Sequence, residues 1–218
     1  SDGEIVMNPP YRLEQDLDKL PFPDYELFEL VKMLEKRIPI VSTRGCPNRC
    51  TFCSIQLVMG HPFRTRSPEH VVNEIEHWYK KYGYRRFAFN DDVFNFDKER
   101  VKKICDLIVE RGLKIQWELR NGIRVDKVDL EMFQKMKKAG CIYIAFGIES
   151  GVQDVLNKMK KGATVEQIKR AAQLAKEAGL PAGGFFIIGL PGDNMENFKQ
   201  TLKLALELPR EEVRLNSA

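Results

Sequence analysis

Apolar positions along this chain fall into two rhythms, a helical period and short runs or alternations of the strand type. Residues 1–23 follow neither, being polar and broken by Pro9, Pro10, Pro21 and Pro23, and are expected to form an extended arm or linker. Leu27, Leu30, Val31 and Leu34 then lie at helical spacing behind a possible cap at Asp24, predicting a helix over 24–36. A short strand over 38–42 follows. Ser67 as N-cap and Pro68 in the first turn open a helix with Val71, Ile75, Trp78 and Tyr82 inward and Gly83 as its stop. Strands are expected over 85–89, 113–119, 141–146 and 185–188, and a sixth begins at Val213 and Leu215. Between them lie helices capped by Asp97, by Thr164 with Gln167 in a capping box, and by Asn194, and one marked by Leu130, Phe133 and Met136.

Strand and helix alternate throughout, with glycine after helices and polar caps before them, which is the pattern of repeated βαβ units and a parallel sheet. About 180 residues at roughly 30 per unit allow about six strands. A closed eight-unit barrel takes about 250 residues. The expected fold is therefore α/β, a partial (βα)6 TIM-type barrel with parallel strands. An open doubly wound sheet is the alternative, because alternation alone does not say which way successive units wind. The expected organisation is an arm and helix over 1–37 and a catalytic core over 38–218, truncated after the sixth strand. Apart from the fold's own periodicity there is no repeat.

Composition narrows the class. The 218 residues are 43% hydrophobic and 30% charged, as in a globular domain with a real core. No apolar run approaches the roughly 18 residues of a membrane span. A net charge of +4, evenly spread, is too small to argue for nucleic acid. Ser1 is not an initiator Met, so a fragment is expected and the lack of a leader pattern carries little weight. Five cysteines, three of them clustered, point to metal binding in a reducing cytoplasm rather than to disulfides.

The clustered cysteines are Cys46, Cys50 and Cys53, spaced C-x-x-x-C-x-x-C with Phe52 before the last. An iron–sulfur cluster normally takes four cysteine ligands, so three leave one iron open to a small molecule. In a parallel α/β fold the loops after the strands gather at one end, and sites form there. Those loops are expected to bring together the cysteines, Asp91 and Asp92, Arg120 and Arg124, Glu149 and Ser150, Gly189 and Gly192, and Asn216. Blander readings stand beside each. The thiols could hold a structural zinc ion with His61. The Asp pair could cap a turn, Glu149 could be a surface charge, the glycines could shape a turn around Pro191, and the arginines could only pair with carboxylates. Cys105 and Cys141 read as small core residues, His70 and His77 lack zinc spacing, and Lys158, Lys160 and Lys161 read as a solvated basic face.

The C-x-x-x-C-x-aromatic-C run of Cys46, Cys50, Phe52 and Cys53 resembles the hallmark of the radical S-adenosylmethionine (SAM) superfamily, over about residues 38–218. That resemblance implies a [4Fe–4S] cluster on the three cysteines, with SAM chelating the fourth iron, and an electron donor such as flavodoxin or ferredoxin. It also implies SAM contacts from Phe52, Ile187 and Gly189 to adenine, from Asp91 or Asp92 to the amino group, from Arg120 or Arg124 to the carboxylate, and from Glu149 and Ser150 to the ribose. The stretches 16–23, 42–46, 90–94, 147–151 and 188–192 are similar to the subgroup that carries a cobalamin domain before the barrel, a domain absent from this chain. The expected function is reductive cleavage of SAM to a 5′-deoxyadenosyl radical that acts on a small-molecule substrate, within a cobalamin-dependent methyltransferase or oxidoreductase-like protein. The alternatives are a methylthiotransferase acting on RNA or protein and a non-catalytic zinc-stabilised binding module.

Overall fold

The computed structural model describes residues 3, 12–25, 37–209 and 211–217. Of the helix expected over 24–36, all but Asp24 and Tyr25 lie outside the described residues. A 3-10 turn at Leu17–Lys19 precedes β1 (Arg37–Ile40), β2 (Thr43–Arg44), α1 (Ile55–Val58), β3 (Arg64–Thr65), α2 (Pro68–Tyr82) and β4 (Arg86–Phe89). Then come α3 (Lys98–Glu110), β5 (Gln116–Ile123), α4 (Leu130–Lys138), β6 (Cys141–Glu149), α5 (Gln153–Lys158), α6 (Val165–Glu177), β7 (Ala182–Ile188), α7 (Met195–Glu207) and β8 (Glu212–Ser217).

Six strands form one sheet in the order β1-β4-β5-β6-β7-β8, and every pair in it is parallel. Each crossover therefore steps in the same direction. A doubly wound sheet reverses strand order at its switch point, so the alternative topology is excluded and the winding is that of a six-unit partial barrel. The two-residue strands β2 and β3 pair antiparallel in a separate hairpin that had no periodicity to announce it.

The helices start and stop where local chemistry dictates. Ser67, Asp97, Asp129, Thr164 and Asn194 each accept a backbone N–H at a helix start, and Thr164 with Gln167 forms the full capping box. Gly83 ends α2 at φ 73°. One face of each helix closes on the sheet. Ile38, Ile40, Phe87, Phe89, Trp117 and Leu119 are fully buried against Val71, Ile75, Trp78, Ile104, Ile108, Phe133 and Met136. Burying one such side chain stabilises by about 1.5–3 kcal/mol. Trp117 also donates its indole N–H to the Ala139 carbonyl at 2.9 Å, so its one polar atom is satisfied. Cys105 and Cys141 lie in this core.

Three elements differ from the sequence expectation. β5 continues to Ile123, because register shifts against β6 let it run past Leu119. β6 continues through Glu149, and β7 starts three residues early at Ala182. The arm is docked over its described part: Leu17 is buried, Arg64 donates to the Glu14 carbonyl at 2.8 Å, and Asp18 accepts the Ser67 N–H at 2.9 Å. Among the described residues no helix is long and apolar enough to cross a membrane.

Candidate cofactor site

The cysteine loop leaves β1 at the C-terminal end of the sheet, and a buried carboxylate ties it down there. Asp91, just past β4, accepts the Ser42 and Thr43 backbone N–H groups on Oδ1 at 2.5 and 2.7 Å, and the Ser42 hydroxyl on Oδ2 at 2.7 Å. Arg100 supports the same turn, donating to the Ser42 carbonyl at 2.9 Å. Burial pushes the Asp91 pKa up, and the Ser42 hydroxyl, Arg100 and the two backbone N–H groups oppose that rise. Its neighbour Asp92 accepts the Gly45 N–H at 2.9 Å. Gly45 has φ 80°, and a Cβ there would lie 2.3 Å from the Pro62 carbonyl oxygen, so the chain needs glycine to turn into the loop.

Cys46, Cys50 and Cys53 are free thiols, each partly buried. The loop is fixed at several points. The Cys46 N–H reaches the Gly60 carbonyl at 3.3 Å, the Asn48 amide donates to Cys46 Sγ at 3.2 Å, and the Thr51 N–H reaches the Met159 carbonyl at 3.0 Å. That last bond seats the loop on the segment following α5. Lys161 in this segment is buried and donates to Glu149 Oε1 at 2.8 Å, with its ammonium 5.8 Å from the centre of the Phe52 ring. Burial pushes the Cys50 thiol pKa up, the Lys161 and Arg124 cations pull it down, and the neighbouring Cys46 and Cys53 raise it. Cys50 thus lies among its two neighbouring thiols and two buried cations. That donor set suits a group whose thiolate ligands carry negative charge, as an iron–sulfur cluster does. Among the described residues no three His, Cys, Asp or Glu side chains close on a single-ion position, and His61 is exposed. A single zinc ion draws each thiolate to about 2.3 Å.

The other expected residues divide. Glu149 ends β6 beside the loop, at φ 70°, a left-handed conformation that is strained for a non-glycine residue. Phe52 is exposed on the loop. Ile187 is half-buried on β7, and Gly189 follows that strand at φ 84° with its N–H held by Asp193 at 3.1 Å. The Ser150 hydroxyl is engaged within the chain, accepting the Val152 N–H at 3.1 Å with Thr201 Oγ1 3.4 Å away. Asp91 is engaged by the cysteine-loop turn. Arg124 is close to Cys50, but its guanidinium is clamped by Asp126 at 2.7 Å and by the Lys161 and Gly162 carbonyls at 2.9 and 3.2 Å.

Arg120 is not in the mouth. It sits within β5, bound to Glu118 at 3.0 Å and 3.6 Å from Glu212, over the Tyr143 ring. The expectation failed because the strand was ended at Leu119, four residues short of its end at Ile123. Lys161 is the opposite case: the short basic run looked solvated, yet this member is buried and paired. The only local signal was its place twelve residues after Glu149, beyond a short helix.

A parallel barrel with a three-thiol loop at the C-terminal end of its first strand defines a metallocofactor enzyme of the α/β class. The chain belongs to the radical SAM superfamily, whose pattern it matches over residues 40–205. Membership implies a [4Fe–4S] cluster and SAM. An uncharacterized methyltransferase of Pyrococcus horikoshii is 35% identical over 95% of this chain and 45% of its own length. The anaerobic magnesium-protoporphyrin IX monomethyl ester cyclase of Rubrivivax gelatinosus is 32% identical over 94% of this chain and 37% of its own. The chain thus spans less than half the length of these relatives. Among solved structures, the radical SAM methyltransferase TsrM of Kitasatospora setae, with cobalamin and a [4Fe–4S] cluster bound, superposes with a TM-score of 0.77 at 20% identity. The match covers 85% of this chain and 35% of that one, a likeness of fold.

Proposed function

We propose that this chain is the radical-generating core of a cobalamin-dependent methyltransferase or oxidoreductase-like protein. When bound, the cluster, reduced by an external donor, would supply one electron to the sulfonium carbon–sulfur bond of SAM, which would break to give methionine and a 5′-deoxyadenosyl radical. The observation that carries the reading is the loop of three free thiols seated beside buried Lys161 and Glu149. Cys46, Cys50 and Cys53 hold the cluster. Phe52, Ile187 and Gly189 line the adenine position. Asp92 serves the cofactor's cationic amino group better than Asp91, whose two oxygens already hold the Ser42–Thr43 turn. Glu149 gives Oε1 to Lys161 and keeps Oε2 for a ribose hydroxyl. Lys161 and Arg124 supply positive charge for the cofactor carboxylate, a role Arg120 is too far down the strand to share. The name of the magnesium-protoporphyrin IX monomethyl ester cyclase favours a small-molecule substrate, and the cobalamin bound in TsrM favours a cobalamin held outside this chain. A low-potential donor such as flavodoxin or ferredoxin, in a reducing cytoplasm, completes the reading.

The test is anaerobic reconstitution. The chain should bind about four irons and, after reduction, release methionine and 5′-deoxyadenosine from SAM. Cys50→Ala should lose the iron. Colourless protein holding one zinc per chain would overturn the proposal.

A further inference from the structure

The three cysteines lie in the loop between β2 and β3, and the far side of that loop, residues 59–62, forms a socket for its start. A Cβ on Gly45 would lie 2.3, 2.9 and 3.3 Å from the carbonyl oxygens of Pro62, Gly60 and Met59, so three carbonyls close around this glycine. The Gly60 carbonyl also takes the Cys46 N–H at 3.3 Å. Where this turn sits therefore decides where Cys46 sits. Two side chains hold the turn. Arg64, the first residue of β3, donates from Nη2 to the Met59 carbonyl at 2.8 Å and from Nη1 to the Glu14 carbonyl of the arm at 2.8 Å. Leu13, beside Glu14, covers Gly60: a Cβ there would lie 2.9 Å from Leu13 Cδ1. We infer that Arg64 is a positioning residue that clamps the arm onto the cysteine loop, so that the cofactor site begins at Leu13 and not at β1; its bearing on a cluster rests on the radical SAM reading.

Three features support it. First, Arg64 is only 8% exposed, yet among the described residues no carboxylate pairs with it and its Nε has no partner. Burying a charge without a counter-ion is costly, so filling space does not explain an arginine here. The two-carbonyl bridge does, because a guanidinium offers separate donors to two acceptors in a fixed fork. Second, the arm's side of the bridge is a main-chain carbonyl. The contact therefore depends on the path of the arm and not on the Glu14 side chain, which is exposed. Third, that path is anchored independently further along. Leu17 is buried, Asp18 accepts the Ser67 N–H at 2.9 Å, and the Phe22 ring centre lies 5.0 Å from that of His70 on α2.

Arg64 thus ties the turn under Cys46 to a segment that is itself fixed on the first turn of α2. Groups that orient a metal ligand without touching the metal change metal affinity or activity by about 10–100-fold when removed. Arg64 acts in this way on Cys46, through the Met59–Gly60 turn, and the arm is the other jaw of the clamp.

The experiment is amide hydrogen exchange over residues 43–53 of the cluster-free 218-residue chain, with iron retention after anaerobic reconstitution as a second readout. In Arg64→Ala, exchange in this segment should quicken by about tenfold or more, the equivalent of one hydrogen bond from a charged group, while β5 and α3 keep their wild-type rates. Arg64→Lys, which keeps the charge and reaches one carbonyl at a time, should fall between. Reconstituted Arg64→Ala should lose iron to a chelator about tenfold faster, with an altered electron paramagnetic resonance spectrum of the reduced cluster. Ile104→Val, a fully buried change on α3 that lowers stability without touching the loop, should move neither readout. Loop exchange unchanged in both Arg64 variants, or quickened equally in Ile104→Val, overturns the clamp. If Arg64→Ala does not fold, Arg64→Lys and Leu13→Ala decide it by the same comparison. Exchange needs no metal, so a wild-type chain that binds no iron overturns the radical SAM reading, while exchange alone decides the clamp.

Discussion

Replacing Asp91 separates a structural tie from a cofactor contact. In Asp91→Ala the Ser42 N–H, the Thr43 N–H and the Ser42 hydroxyl lose their acceptor together, and buried Arg100 loses a neighbouring negative charge. Hydrogen bonds to a charged group contribute about 1.5–3 kcal/mol each, and buried donors left unpaired add a desolvation penalty. The three share one partner and are not additive, so the expected loss is about 3–5 kcal/mol, near the upper range for point mutations. Asp91→Asn keeps one carbonyl oxygen for the two backbone donors, and the Ser42 hydroxyl can rotate to accept from the amide. It should lose about 1–2 kcal/mol. Urea denaturation of the cluster-free chain, followed by far-ultraviolet circular dichroism, reads both as midpoint shifts at constant slope. If Asp91→Ala unfolds within about 0.5 kcal/mol of wild type while SAM affinity falls, the reasoning fails and Asp91 is a cofactor contact after all.

Further expectations follow from the same neighbourhood. Lys161→Ala leaves Glu149 buried without its ammonium, and breaking such a pair costs about 3–5 kcal/mol; pairing it with Glu149→Gln should recover part of that in a double-mutant cycle, and full additivity would show the two are uncoupled. Gly45→Ala forces a Cβ onto the Pro62 carbonyl, so iron loading should drop sharply, whereas Gly83→Ala, with open space around it, should cost only about 1 kcal/mol. Asp18 has its carboxyl held below the usual range: burial raises it, but hydrogen bonds from Ser67 and the charges of His70 and Arg66 prevail. A depressed folded-state pKa stabilises above the unfolded value of 3.8 and is lost as pH falls through the folded value. Asp18→Asn should therefore melt earlier than wild type at pH 7, with the gap closing as the pH falls below 3.8 and through the depressed folded-state value.

How much was legible in the chain depends on the range of the interaction. Caps and glycine stops act within one helical turn, and Ser67, Asp97, Thr164 with Gln167, and Asn194 sit where the local pattern put them. The cysteine spacing and the sixfold alternation are also local, and together they reached the family. Winding direction is global and came only from strand order. The hairpin of β2 and β3 is two residues deep, too short for any periodicity. Arg120 went astray because a register shift lengthens β5, and such shifts depend on the neighbouring strand. Lys161 was misread because burial of a lysine depends on a partner brought from another element, here Glu149 at the end of β6.

The contact between the Thr51 N–H and the Met159 carbonyl sets an order of events during synthesis. The cysteines lie in the first βα unit, but their seat is made by a segment more than a hundred residues later, and the barrel between them grows by adding one neighbouring strand at a time. Contacts this distant in sequence form late, and chains emerge from the N-terminal end first. The thiols therefore leave the ribosome well before the surface that orders them exists. On the proposed reading, the cysteine loop becomes a complete cluster seat only once folding has passed the fourth strand of the sheet.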